Sequence, residues 1–176
     1  MARSGFGRTY EAYWSGVKGV MLSPDVMRRA QQEVGRRMVE MNLRRLDAMR
    51  NRDGSRMPGL SPGYKRFKIG RGLKGVRDTK LSGKLRKTIR AIPGTPTQHG
   101  GEISLPVAID VTAAAKLGQL EGLSTGRFGK RGRGPAIDVL GIYNAGTAEG
   151  KRERRELVQA AADVMRIAGK GKIIDT

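Results

Sequence analysis

SPDVMRRAQQEVGRRMVEMNLRRLDAM, residues 23–49, is the stretch on which the fold turns. Ser23 is a natural helix cap, and Pro24 at the first helical position sacrifices no hydrogen bond because it has no N–H. Behind them Met27, Ala30, Val34, Met38, Met41, Leu46 and Met49 recur at helical spacing over about seven turns. The spacing predicts a long amphipathic helix. Its methionines suit an adaptable core seam better than a cofactor site. Arg28, Arg29, Arg36, Arg37, Arg44 and Arg45 are assigned to the opposite side, with few glutamates to compensate, so that side is expected to be basic. The helix is expected to break near Asp53-Gly54.

On the N-terminal side, residues 1–22 hold four of the eight aromatics, Phe6, Tyr10, Tyr13 and Trp14, interleaved with Arg3, Arg8 and Lys18. This N-terminal arm reads as a short strand or as an arm packing on a neighbour, with base stacking as the alternative. On the C-terminal side, residues 50–80 are rich in Gly, Pro and basic side chains. They read as an extended basic loop, an arm or hairpin that orders on meeting a partner. Leu81, Leu85, Ile89 and Ile92 fit a helix, although Leu85 to Ile92 fit a strand as well; Pro93-Gly94 and Pro96 end the element. EISLPVAIDV, residues 102–111, alternates like a strand whose Pro106 belongs at an edge or bulge.

Residues 113–122 read as a short helix or a loop rim, residues 124–135 as a second basic, Gly-rich loop, and Ala136–Tyr143 as another strand. KRERRELVQAAADVMRIAGKG, residues 151–171, is helical, with Leu157, Ala161, Val164 and Ala168 on one face and Gly169 as the C-cap. Glu153 and Glu156 are placed near its positive N-terminal end. The sum is one α+β domain over residues 1–176. A long N-terminal helix and a C-terminal helix pack on a small, mostly antiparallel sheet, with extended basic loops.

Composition removes whole classes of function. The 176 residues carry 35 Lys plus Arg against 16 Asp plus Glu, a formal charge of +19, with no cysteine and a single histidine, His99. Thiol chemistry, disulfide frameworks and cysteine-ligated metals are excluded, and a histidine-based triad or metal site within one chain is hard to build. No apolar run approaches the roughly 20 residues that span a bilayer, and the N-terminus has no apolar signal region, so the sequence predicts a soluble, cytoplasmic chain with no membrane partner. From Arg50 to Arg90 there are 14 basic residues and 2 acids, and GRFGKRGRG, residues 126–134, adds four more positive charges. Charge this dense implies a polyanion or an acidic neighbour.

No motif points to catalysis. Gly70-Arg71-Gly72-Leu73-Lys74-Gly75 matches a dinucleotide string, but it opens no evident helix and meets no acid about 20 positions later, and the 26 glycines explain the match. The acids are scattered, His99 sits in a turn-like stretch, and Asp53 and Asp78 fit turn roles better than a cation site. The expectation is a protein without catalytic residues, cofactor or metal. What rises above background is the basic stretch. Lys65, Arg66, Lys68, Arg71, Lys74, Arg77, Lys80 and Lys84, followed by Arg86 and Lys87, are candidates for contact with phosphates or with an acidic protein surface. Tyr64 and Phe67 are available for stacking. Arg127, Lys130, Arg131 and Arg133 are the corresponding candidates in the second loop.

The order of these signals resembles one family. A long helix is followed by Asp53-Gly54, by Leu60-Ser61-Pro62 with Tyr64 and Lys68, and then by Leu81-Ser82-Gly83-Lys84-Leu85 with Thr88-Ile89. This is similar to the virion-morphogenesis and tail-completion proteins of tailed bacteriophages and to the related head–tail joining proteins. The strand region near Ile103–Val111, Leu120-Glu121-Gly122 and the Arg-rich start of the last helix fall in matching order. KRERREL departs from the family pattern by lacking Pro and Phe at the entry to that helix. The resemblance implies a non-enzymatic subunit of the virion neck, assembled in the host cytoplasm into a six- or twelve-fold ring that joins a DNA-filled head to a tail. Its implied partners are further copies of itself, other neck, connector and tail proteins, and genomic DNA in the lumen. Leu60, Tyr64, Phe67 and Ile69 would then form an inter-subunit arm. A general nucleic-acid-binding protein, ribosomal or nucleoid-like, is the other reading.

Overall fold

The periodicity that begins at Pro24 becomes helix α1, Pro24–Asp47, in a computed structural model, which describes residues 6–14, 23–76, 86–87, 89–97, 100–107, 141–166 and 171–175. The Ser23 side chain accepts the Val26 N–H at 3.4 Å and its carbonyl accepts the Met27 N–H at 3.1 Å. Met27, Ala30, Val34, Met38, Met41 and Leu46 are buried, each worth up to about 1.5–3 kcal/mol for the larger side chains. The helix ends before the break expected at Asp53-Gly54. Met49 turns to a φ of 53°, its N–H bonding the Leu46 carbonyl and the Arg50 N–H bonding the Arg45 carbonyl. That pair of bonds satisfies the last carbonyls in the way glycine-capped helices do, with Met49 in the glycine position.

The basic side expected of α1 needs two corrections. Arg45 lies four residues after Met41 and seven after Met38, on the apolar side, and is 2% exposed. The remaining arginines are largely compensated: Arg36 pairs with Glu33 and Glu40, Arg37 with Glu33, Arg28 with Asp25 and Arg44 with Glu156. Hydrogen bonding from the Arg36 guanidinium holds the Glu33 carboxyl below the usual carboxylate range. Such exposed pairs contribute under about 1 kcal/mol each, so their main effect is to reduce the charge that α1 presents.

Strand β1, Phe6–Trp14, is an interior strand. It pairs antiparallel with β3, Gly100–Val107, on one side and with β4, Gly171–Asp175, on the other. The two-residue β2, Ile92–Pro93, closes the β3 side, giving the order β2-β3-β1-β4. Tyr10 and Ala12 are fully buried while Tyr13 is exposed, the period of a sheet with one covered face. Tyr10 is thus core, and neither an arm contact nor a base-stacking residue. Pro106 pairs with Gly7. It lies beyond Ile103 and Ser104, the only β3 residues that β2 reaches, so no ladder bond to β2 is lost through its missing N–H.

Helix α3, Ala148–Met165, starts three residues before the expected entry because Thr147 caps it, accepting the Gly150 N–H at 3.0 Å. It ends at Met165, with Arg166 in the left-handed conformation, so Gly169 is not its C-cap. Leu157 and Ala161 are buried as expected, Val164 only partly, and Val158, Ala162 and Met165 widen the buried stripe. α1 and α3 pack on each other and, with Tyr10, Ala12 and Ile173 from the sheet and Ile142, enclose one core. The chain is therefore α+β, with helices on an antiparallel sheet. Residues 113–122 and 124–135 lie outside the described residues.

Of the expected strand 136–143, residues 136–140 also lie outside the described residues, and the rest is a bend. Gly141 has a φ of 103°, which no strand residue adopts. The backbone donors of this bend go to four different places. Gly141 N–H bonds Asn42 Oδ1, Ile142 N–H bonds Tyr10 Oη, Tyr143 N–H bonds Glu153 Oε2 and Asn144 N–H bonds the Arg52 carbonyl, at 2.8–3.0 Å. Side chains have replaced the ladder, which is why alternation alone misreads the segment.

Gln31 is fully buried on α1, and among the described residues neither of its amide atoms has a hydrogen-bond partner. An unsatisfied buried polar group costs about 1–3 kcal/mol. Gln31→Leu, of similar volume and apolar, is expected to raise the thermal unfolding midpoint. A lower midpoint would show that the amide is satisfied in solution.

Candidate interaction surface on the basic helix

Residues 50–76, expected to be an extended arm, contain ordered structure of their own. Arg50 and Arg56 bridge across a tight turn in which Asp53 accepts both the Ser55 N–H, at 2.9 Å, and the Ser55 hydroxyl, at 2.6 Å. These bonds hold the Asp53 carboxyl below its ordinary range, and they give it a turn role. Met57 tucks back at 6% exposure, its N–H bonded to the Met49 carbonyl.

Helix α2, Pro62–Ile69, follows. The extended reading of this stretch is corrected here: Ser61-Pro62 repeats the start signal of Ser23-Pro24, the Ser61 side chain accepting the Tyr64 N–H at 3.4 Å. The Ser-Pro dipeptide is the local signal for this helix, set in a stretch whose Gly and Pro content reads as extended. The glycine string 70–75 follows α2 instead of opening a helix, with Gly70 as the C-cap.

Lys68 organises what comes next. Its backbone carbonyl accepts the Leu73 N–H at 3.1 Å and its ammonium donates to the Val76 carbonyl at 2.6 Å. At 2% exposure it cannot serve as a phosphate or partner contact, so that expectation fails for Lys68. The Lys65 stem and Ile69 lie against Gly75, where a Cβ would come within 2.9 and 3.0 Å of them. Segment 61–76 is thereby tied together by local bonds, and no α2 residue belongs to the hydrophobic core formed by the described residues.

What α2 presents to solvent is both apolar and cationic. Tyr64, Phe67 and Ile69 are 41%, 46% and 54% exposed, and the Tyr64 and Phe67 rings stack with centroids 5.9 Å apart. The Arg71 guanidinium lies 4.6 Å from the Phe67 centroid, continuing the column of Tyr64 and Phe67 at i, i+3 and i+7. Lys65, Arg66 and Lys74 are exposed around it, and Leu60 is half-buried just ahead of the cap. The fold thus brings Lys65, Arg66, Arg71 and Lys74 together with Tyr64, Phe67 and Ile69. Arg77, Lys80, Lys84, Arg127, Lys130, Arg131 and Arg133 lie outside the described residues. Arg86 pairs with Asp47 at 3.0 Å, which engages it within the chain, while Lys87 is exposed.

A second constellation escaped the sequence reading. Buried Arg45 donates to both carboxylate oxygens of Glu153, at 2.9 and 3.2 Å, and to the Gly141 carbonyl at 2.8 Å, with the Tyr143 ring 4.2 Å from its guanidinium carbon. Glu153 is therefore an ion-pair partner deep between α1 and α3, beyond the first turn where the helix dipole acts. The heptad position of Arg45 was the available signal.

Among the described residues no group of three His, Asp or Glu side chains converges to hold a metal, and no helix is long and apolar enough to cross a membrane. No protein-family model matches the chain, and searches of curated proteins and of solved structures likewise return no match.

Proposed function

We propose that the protein is a structural subunit of the neck of a tailed bacteriophage, acting in tail completion or head–tail joining. It assembles into a closed ring and meets its neighbours through α2. The motif order from Asp53-Gly54 to Thr88-Ile89 supports the family, and one structural observation supports the mode of assembly. A short helix and the turn that follows it carry three exposed large apolar side chains and four exposed cations, two on the helix and two after it, and no α2 residue belongs to the core formed by the described residues. Apolar surface of this kind, rimmed by charge, marks contact with another protein. In a ring each subunit offers one surface and receives another, and rotation closes the set. The basic segment 50–80, which includes α2, and the basic stretch 124–135 then face neighbours or the DNA passing through the lumen, where a +19 subunit meets a polyanion.

The Tyr64–Phe67 stack beside Arg71 also fits a platform for single-stranded nucleic acid, the basis of the second reading as a general nucleic-acid-binding protein. Solution mass separates the two. The full-length protein is expected to form a closed ring as concentration rises, with or without DNA, and Tyr64→Ser with Phe67→Ser is expected to return it to the monomer with α1 and α3 intact by circular dichroism. A wild-type monomer at every concentration, binding DNA tightly at low salt and releasing it steeply as salt rises, would sink the neck reading and favour the second.

A further inference from the structure

We propose that the outer edge of β4 is a docking groove for an extended acidic segment of a partner protein, which joins the sheet as an added strand. This stands apart from the neck reading and from α2. β4 pairs with β1 on one side only, and among the described residues no strand lies on its other side. A groove of about 790 Å³ runs there between β4 and α3. It touches Gly171, Lys172, Ile173 and Ile174 in succession. Consecutive strand residues point to opposite faces, so a groove that meets all four follows the backbone edge and not one face. Backbone groups along such an edge are what an incoming strand binds, the Ile173 carbonyl, which Arg154 already engages, excepted.

The lining specifies the guest. Val158, Ile173 and Ile174 make it apolar, and Lys151, Arg154, Arg155 and Lys172 surround it, with no carboxylate among the lining residues. Arg154 donates to the Ile173 carbonyl at 3.2 Å and to the Tyr143 carbonyl at 2.8 Å, fixing α3 to β4 and so setting the width of the groove. Lys151, Arg155 and Lys172 are exposed. A lysine on an edge strand commonly serves only to repel stray strands. That role needs neither an apolar cleft behind the lysine nor two further cations across from it. A segment alternating acidic and apolar residues satisfies both features at once, its carboxylates reaching the cations while its apolar side chains enter the cleft.

The test uses the full-length protein and two fluorescent octapeptides, one alternating Glu with Val and one alternating Lys with Val, followed by anisotropy. The Glu–Val peptide is expected to bind saturably and the Lys–Val peptide not to. Arg155→Glu with Lys172→Glu, both exposed and outside the core, should weaken Glu–Val binding by about tenfold or more and admit the Lys–Val peptide. Tyr64→Ser with Phe67→Ser should leave Glu–Val binding unchanged, which separates this groove from the α2 surface. Absence of saturable binding, or binding indifferent to the charge reversal, would overturn the proposal. So would displacement of the peptide by a single-stranded DNA oligomer that itself loses affinity in the charge-reversed variant.

Discussion

Glu153→Ala is expected to cost the fold about 3–5 kcal/mol, the range found when one partner of a buried ion pair is removed. The Arg45 side chain is 1% exposed, and the Glu153 side chain, 14% exposed, is its ion-pair partner. The same substitution leaves the Tyr143 N–H without its acceptor. In urea the midpoint should fall substantially with little change in the m-value. Glu153→Gln, which keeps an acceptor but no charge, should fall between the two. Arg45→Met with Glu153→Leu should recover part of the loss, since a matched apolar pair avoids the desolvation of both charges. A drop below about 1 kcal/mol in Glu153→Ala would place the pair in the class of solvent-screened surface bridges and refute its burial.

Gly150→Ala is the second large effect, and its sign opposes the usual rule. Alanine inside a helix ordinarily gains up to about 1 kcal/mol over glycine. Here a Cβ would lie 2.1 Å from the Asn144 carbonyl oxygen, 2.6 Å from that of Tyr143 and 2.8 Å from the Asn144 carbonyl carbon. All three are backbone atoms of a bend that Asn42, Tyr10, Glu153 and Arg52 hold in place, so the bend cannot give way cheaply. The expected loss is about 3 kcal/mol, the upper end of overpacking costs. Gly63→Ala in α2, where a Cβ would meet nothing within 4 Å, is the control and should be neutral or slightly stabilising. Equal behaviour of the two variants in thermal melts would refute the close approach.

The elements legible from sequence were those whose signals are local and repeated. Ser23-Pro24 with the Met27–Leu46 periodicity defines α1, and Leu157 with Ala161 marks the buried stripe of α3, because burial on one face imposes a period on the chain itself. The candidate surface was half legible. Tyr64, Phe67 and the cations near them were visible as residue types, whereas their assembly on a helix depended on Ser61 and on the carbonyl and ammonium of Lys68 binding forward. Lys68 and Arg45 were misread for one reason. A charged residue reads as solvent-facing unless a partner is known, and those partners, the Val76 carbonyl and Glu153, are set by tertiary folding. The bend at 141–144 was the least legible, since its donors are satisfied by residues up to 132 positions away.

That bend also has a temporal meaning. A chain leaves the ribosome N-terminus first, at roughly 5–20 residues per second. Tyr10 and Asn42 emerge long before Ile142 and Gly141, the groups they bind, so β1 and α1 are synthesised with part of their bonding deferred until four-fifths of the chain exists. The cap of α2 and the Leu73 and Val76 bonds of Lys68 lie within residues 61–76, so those partners are synthesised almost together. The core that holds β1 and α1 is therefore closed late in synthesis, after the segment bearing Tyr64, Phe67 and Ile69 has already left the ribosome.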